Sequence, residues 1–372
     1  MIKFEFLPAG SGDCIFINFD NTKYILIDGG YVNTYNRILK NKISDLKDKS
    51  SFLDLIVVTH IDNDHINGIK KLFGDEYKDI VKKVWFNSGI ILNKYFDNNF
   101  TSNKLELNKS QNYSEEIGYT EGIKLEDLLD NLNISNKTPI KAMDIVSIDD
   151  DLSFNILSPD SDRLRELIEV WNDELEKLEE NDSNEVSSYN YNDYDKSIEE
   201  LVSKNFESDT SITNGSSIAF LMKYKDLKFL FLADAFVDVV VCSLKSFKYS
   251  KEKPLKIEFV KVSHHGSKKN INESLLELID TDTYIISTNG TKHNHPDQEA
   301  LSRIIMFNKD KSKVTKIYFN YGKDEFFPHI FQQYENDFLI ETDENYEVYI
   351  NKEYNFILYF PKENGVNLDF PI

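Results

Sequence analysis

The 372 residues are 40% hydrophobic and 13% aromatic, which excludes a disordered chain and suffices for one large domain or two ordinary ones. A net charge of −21 argues against avid, non-specific binding to long nucleic acid, which needs a basic surface; a nucleotide or phosphodiester held locally by metal ions stays open. Two distant cysteines, Cys14 and Cys242, fit no disulfide framework, and neither a leader nor a membrane-spanning run is legible, so a soluble, cytoplasmic protein without membrane association is expected.

In chain order, IKFEFLP, DCIFINF and KYILID read as short strands separated by the turn-like PAGSG and DNT. DLIVVT is a continuous apolar run, the pattern of a strand covered on both faces. INGIKKLFGDEYKDIVKK follows as an interrupted helix, then VWFNSG as a strand. From Asn87 to about Thr210 the composition shifts to Asn, Ser, Lys and Glu, with helical patches at GIKLEDLLDNL and RLRELIEVWNDELEKLEE and a strand-like DDDLSFNILSP between them. This region reads as part core and part insertion. Its segment 161–209 holds 16 acids and 5 bases, a net of −11, and ENDSNEVSSYNYNDYDKS within it reads as a loop or lid. SSIAFLMKY, KFLFLADA, IEFVKVSHHGS and TYIISTNG restore the strand rhythm, with helices DVVVCSLKSF, NESLLELI and PDQEALSRII among them. Past Val314 the chain is aromatic and β-rich (KIYFNY, FLIETD, YEVYIN, FILYF). Strands alternating with helices indicate α/β layers.

Polar residues collect at the ends of these strands. Asp28 ends YILID; His60, Asp62, Asp64 and His65 follow LIVVT; Asp234 ends FLFLAD; His264 and His265 follow FVKVS; His293 and His295 follow IISTNG. Six of the seven histidines lie in these three clusters, and only His329 stands apart. Open α/β sheets place their sites beyond the carboxyl ends of the strands, so these groups are expected to converge. Imidazole and carboxylate bind first-row divalent cations, and a carboxylate between two ions can bridge them. Two such ions, about 3.5–4 Å apart, activate water and clamp the attacking and leaving oxygens.

THIDNDHINGI, FLADA, VKVSHHGSKK and HNHP resemble the motifs of metallo-β-lactamase-fold hydrolases, most closely the soluble hydrolase domain of ComEC-type DNA-internalisation proteins. Asn214 to Ile218 (NGSSI) fits that branch's N-x-S-S-[LI] element, whereas Ala233 replaces the glycine before Asp234, Ser263 replaces a proline and Asn294 a glycine. The resemblance implies an αββα sandwich over about residues 1–310, with an insertion at about 87–210 and a β-rich C-terminal extension at 311–372. It further implies His60, Asp62, Asp64, His65, Asp234 and His265 as ligands of two divalent ions, Mn²⁺ or Zn²⁺ with Mg²⁺ also compatible. Asp64, His264 and His295 would serve catalysis, the two histidines facing the substrate. Asp28 would orient a ligand histidine, or else be a turn residue before Gly29 and Gly30. Lys268, Lys269 and Lys292 would bind phosphate, or be ordinary solvated lysines.

No histidine occurs between His65 and His264, so the ion beside His60 and Asp62 is expected to be poor in nitrogen, supplemented by Asn214, Ser216 or water, and weakly held. Hard metals and phosphodiesters suit such a site. The leading expectation, whose phosphodiester preference the resemblance supplies, is a phosphodiesterase, either a nuclease or a cyclic-nucleotide or nucleotide hydrolase. Two alternatives stay open: hydrolysis of a carboxylic ester, lactone or amide on the same fold, and an effector that binds a basic protein partner beside a regulatory or vestigial metal site.

Overall fold

The structure, a computed structural model, describes residues 1–97, 118–180, 193–292, 294–326 and 330–372. Residues 181–192, within the stretch read as a loop, lie outside the described residues, as do His293 and His329.

Alternation along the strands dictates four layers. In Lys23–Ile27, residues Ile25 and Ile27 enter one core while Tyr24 and Leu26 enter another; in Leu55–Val57, Leu55 and Val57 part from Ile56 in the same way. Phe220 and Met222, then Phe229 and Phe231, face that first core from a second sheet, and their neighbours Leu221 and Leu230 face a third. Successive residues of a strand point to opposite faces, so each sheet buries both sides and needs helices outside. The result is the αββα sandwich expected from the sequence.

The first sheet runs in the order Val366–Phe370, Ile2–Phe6, Ile15–Phe19, Lys23–Ile27, Leu55–Val57, Val84–Trp85. The second runs Phe338–Thr342, Tyr346–Asn351, Phe356–Pro361, Thr315–Phe319, Thr283–Ile286, Phe259–Lys261, Leu227–Phe231, Ala219–Tyr224, Leu152–Ser158, Ile145–Ser147. Between them lies a phenylalanine core. The Phe4 ring sits 4.5 Å from Phe229 and packs edge-on to Phe259 at 5.0 Å. Each such pair adds about 0.5–1.5 kcal/mol beyond the area it buries.

The β-rich C-terminal region is woven into both sheets: Phe356–Pro361 pairs in parallel with Thr315–Phe319, and Val366–Phe370 pairs antiparallel with Ile2–Phe6. Leu152–Ser158, from the compositionally distinct middle region, is likewise a full member of the second sheet. The helix Ser161–Glu180 packs Leu164, Leu167, Ile168 and Trp171 under the first sheet, so its stripe is a core face. Among the described residues, no helix is long and apolar enough to cross a membrane.

One long helical stretch is absent from the sequence reading. Val32–Thr34, Tyr35–Leu39 and Lys40–Asp48 run on as α, π and α turns, burying Tyr35, Leu39, Ile43 and Leu46. The helix after the first motif is Asn63–Phe73, ending at Gly74, and only a short 3₁₀ turn, Lys78–Ile80, represents its expected continuation.

Asn63–Phe73 is pressed onto the turn that follows Lys23–Ile27. Gly29 N–H donates to the His65 carbonyl and Gly68 N–H to the Gly30 carbonyl, both at 2.8 Å. A Cβ on Gly68 would lie 1.9 Å from the Gly29 carbonyl oxygen, so only glycine permits this approach. Gly68→Ala is expected to cost about 1–3 kcal/mol as the helix backs away. Differential scanning calorimetry should show a lowered melting midpoint; an unchanged midpoint would refute the close-contact account.

Candidate metal centre

The site lies at the carboxyl ends of the parallel strands of both sheets. Four residues reach it from the loop and first helical turn after Leu55–Val57. Asp62 is the N-cap of Asn63–Phe73, yet its side chain accepts no capping hydrogen bond. An N-cap aspartate ordinarily spends its carboxylate on the helix amides. Here one oxygen lies 3.6 Å from His60 Nε2 and the other is buried without a hydrogen-bond partner. Asp64 and His65 follow in the first turn.

The second sheet supplies Asp234 and the pair His264–His265. Asp234 Oδ2 is 4.0 Å from His60 Nε2, 3.7 Å from His65 Nε2, 3.8 Å from His264 Nε2 and 3.5 Å from His265 Nε2. His265 Nε2 is also 3.7 Å from Asp64 Oδ2 and 3.3 Å from His65 Nε2. All six residues expected as ligands therefore meet in one place. Two triads, His60–His65–Asp234 and Asp64–His65–His265, have donor atoms mutually within 4.8 Å.

What turns these imidazoles inward is the use made of their other nitrogens. His65 Nδ1 is 2.8 Å from Asp28 Oδ2, His265 Nδ1 is 2.8 Å from the Ser287 carbonyl, and His60 Nδ1 is 3.0 Å from the Thr59 hydroxyl. Asp28, fully buried, also accepts from Thr59 N–H at 2.8 Å and from the Thr59 hydroxyl at 2.7 Å. It thus braces His65 directly and His60 through Thr59. Beneath His265, the buried Asp13 pairs with Lys261. Asp13 carries no sequence signal of a site, being an ordinary residue beside a turn, and Thr59 opens the THIDNDHINGI motif without any local sign of its bracing role.

The donor set fits divalent cations. His60 Nε2, Asp62 Oδ1 and Asp234 Oδ1 are buried and lack hydrogen-bond partners, a costly arrangement that cations at this place relieve. Charges are correspondingly perturbed. Burial opposes ionisation of Asp234, but His265, His65, His264 and His60 outweigh it and hold the carboxyl well below its usual range. Asp64 is pushed up, chiefly by burial and then by Asp234 and Asp62 against the pull of its histidine neighbours. For His65, burial is outweighed by Asp234, Asp28 and Asp64, which raise it well above an ordinary imidazole. Burial drives His265 down to about 3.

His264 differs from its neighbour. Its Nδ1 is 3.1 Å from Asn270 Oδ1, 3.3 Å from Asp209 Oδ2 and 3.4 Å from Asn214 Nδ2. Burial disfavours its charged form, yet Asp234 and Asp209 prevail and raise it to about 9. The His295 ring packs edge-on at 5.0 Å, and its Nδ1 is 3.6 Å from Asp297 Oδ2. Asp209, Asn270 and Asp297 escaped the sequence reading, since nothing local distinguishes them from other loop polar residues. Ser216 does not face the site: its hydroxyl donates to the Thr213 carbonyl at 2.6 Å, while Asn214 stays in the wall.

A cavity of about 560 Å³ opens over these groups. Lys268, Lys269 and Lys292 line it, joined by Ser11 and Tyr31. Burial and Asp64 push the Tyr31 hydroxyl above an ordinary phenol, partly offset by its hydrogen bond with Ser11 and by Lys292.

The turns that deliver these residues are left-handed: Asp28 (φ 54°), Ala233 (φ 46°), His264 (φ 46°), His265 (φ 54°) and Asn294 (φ 54°), with Gly266 at +90°. Two of them, Ala233 and Asn294, stand where the motif pattern has glycine, so the backbone keeps a glycine conformation without the glycine.

Residues 7–76, which contain the whole His60–His65 string, match the family model of the metallo-beta-lactamase superfamily. The matched segment supplies the first sheet's share of the site within an αββα fold. Among solved structures, Zn(2+)-bound PqqB from Methylobacterium extorquens is 8% identical, with all of both chains covered and a TM-score of 0.44. The metallo-beta-lactamase fold protein YhfI from Bacillus subtilis is 6% identical, covering 86% of this chain and 85% of its own, at a TM-score of 0.36. A mutant of the CmlA beta-hydroxylase is 11% identical over 85% of this chain at a TM-score of 0.41, and the present chain spans 52% of its length. No curated protein matches the sequence significantly.

Asp28→Ala should weaken metal binding about 10–100-fold, the usual cost of losing a residue that orients a ligand from behind. Competition with a chromophoric chelator reads this directly. Wild-type affinity in the variant would show that His65 and His60 hold their orientation unaided.

Proposed function

We propose that the protein is a metal-dependent phosphodiesterase acting on nucleotides or short phosphodiesters. The observation that carries this reading is the convergence of three carboxylates (Asp62, Asp64, Asp234) and inward-facing imidazoles at the floor of a lysine-lined cavity. The likeness of THIDNDHINGI and VKVSHHGSKK to the ComEC-type branch supports the phosphodiester preference. Three carboxylates make the donor set hard, which favours Mn²⁺ or Mg²⁺ over Zn²⁺.

His60, Asp62 and Asp234 would hold one ion, and Asp64, His65, His265 and Asp234 the other. Ions held there supply positive charge to phosphoryl oxygens and make water acidic enough to attack. The remaining work falls to the chain. Lys268 and Lys292 draw an anionic substrate into the cavity. His264, held at Nδ1 by Asp209 and Asn270, presents Nε2 inward, where it would give a proton to the departing oxygen. His295, packed on its ring, keeps that imidazole from swinging aside.

Manganese-loaded protein should hydrolyse bis-p-nitrophenyl phosphate in preference to p-nitrophenyl carboxylic esters. Asp64→Ala should fall to background with reduced manganese content by elemental analysis. His264→Ala should lose about 10²–10⁴-fold in kcat at full metal content. Absence of turnover on every phosphodiester tried, in protein with two bound ions, would refute the reading.

A further inference from the structure

On the Asp64 side of the cavity, the turn Gly10–Ser11–Gly12 lies hard against the metal-binding helix. A Cβ on Gly12 would fall 1.9 Å from the Asp64 carbonyl oxygen, and Asp13 N–H donates to that same carbonyl at 3.3 Å. The turn is tethered to the loop that carries Lys292, because Asn289 N–H donates to the Gly10 carbonyl at 2.8 Å, and Gly10 N–H donates to the Tyr321 hydroxyl at 2.6 Å. Ser11 is buried, with its hydroxyl 2.8 Å from that of Tyr31, and Lys292 Nζ sits 5.2 Å from the centre of the Tyr31 ring. All three residues line the cavity. No motif of the sequence draws attention to Ser11 or Tyr31.

Charge gives this corner a purpose. Two divalent ions against Asp62, Asp64 and Asp234 would leave about one positive charge, which one scissile phosphodiester neutralises. Lys268 and Lys269, by contrast, lie with the carboxylates Glu207 and Asp297, which offset them. Beside Lys292 stand the linked hydroxyls of Tyr31 and Ser11, with Asp64, a residue that would be engaged by an ion, the nearby carboxylate. An ammonium with fixed hydroxyls beside it is a recognition set for a phosphate oxygen.

We propose that Ser11, Tyr31 and Lys292 form a subsite for a second, uncleaved phosphate, so that the substrate is a phosphodiester bearing another phosphate next to the scissile one. This rests on the phosphodiesterase reading. It selects dinucleotides, short oligonucleotides and phosphorylated ends over isolated cyclic mononucleotides.

The test is titration calorimetry on manganese-loaded, full-length protein, with inorganic pyrophosphate and orthophosphate as probes. In Lys292→Met, pyrophosphate affinity should fall about tenfold or more, and by at least about threefold more than orthophosphate affinity, which the metal ions chiefly set. Tyr31→Phe, which removes a single oxygen and carries the test should Lys292→Met fold poorly, should lose a smaller share in the same direction. Manganese content by elemental analysis should be equal in all three proteins. Pyrophosphate binding equal to wild type in both variants overturns the subsite. Failures are separable: turnover of bis-p-nitrophenyl phosphate with unaltered pyrophosphate binding overturns the subsite alone. Lys292-dependent pyrophosphate binding without turnover of any phosphodiester overturns the reaction instead.

Discussion

The Asp234 carboxylate, with four imidazole nitrogens around it, is the constraint on which the site depends. An ionised carboxylate buried this deeply costs many kcal/mol unless positive charge surrounds it. The chain surrounds it from two directions, with His60 and His65 from the first sheet and His264 and His265 from the second, and the divalent ions these residues would hold supply the charge that meets that cost. Neither sheet alone can supply the set. The inter-sheet phenylalanine core, which fixes the distance between the layers, is therefore as much a part of the metal centre as the ligands.

Much of this was legible in the sequence, for a physical reason. Ligands at strand ends follow apolar runs, so a local pattern of six or seven residues announces each one. The α/β layering followed from strands such as KYILID and DLIVVT alternating with helices, while the αββα order came with the family resemblance. What stayed hidden depends on the fold as a whole. Asp28 was expected to orient one ligand histidine, but its reach to a second, through Thr59, shows only in the folded chain. Asp209 reaches His264 from far away in the chain, and no spacing rule connects them. The helical stretch from Val32 to Asp48 was masked by its polar content, its four buried side chains being interrupted by Asn, Lys and Asp and by a π turn.

Strain marks the same places. Left-handed conformations at Asp28, Ala233, His264, His265 and Asn294 each cost of order 1 kcal/mol or more for a residue with a side chain. They persist because hydrogen bonds over-determine them: His264 N–H to the Ala233 carbonyl at 2.8 Å, and Asp28 N–H to the Val57 carbonyl at 2.9 Å. Turns so fixed aim side chains that a relaxed loop would leave adrift. The substitutions Ala233 and Asn294 change the residue while preserving the backbone path that the glycine pattern encodes.

The pairing of Val366–Phe370 with Ile2–Phe6 has a consequence for folding. Ile2 stands opposite Phe370, so the outer edge of Ile2–Phe6 is covered by a strand very distant along the chain. Without that cover the edge of IKFEF would lie open to pairing with other chains. Contacts so distant along the chain also slow folding, since the loop must close before the pairing rewards it. Val366–Phe370 therefore shields an apolar edge as well as extending the first sheet.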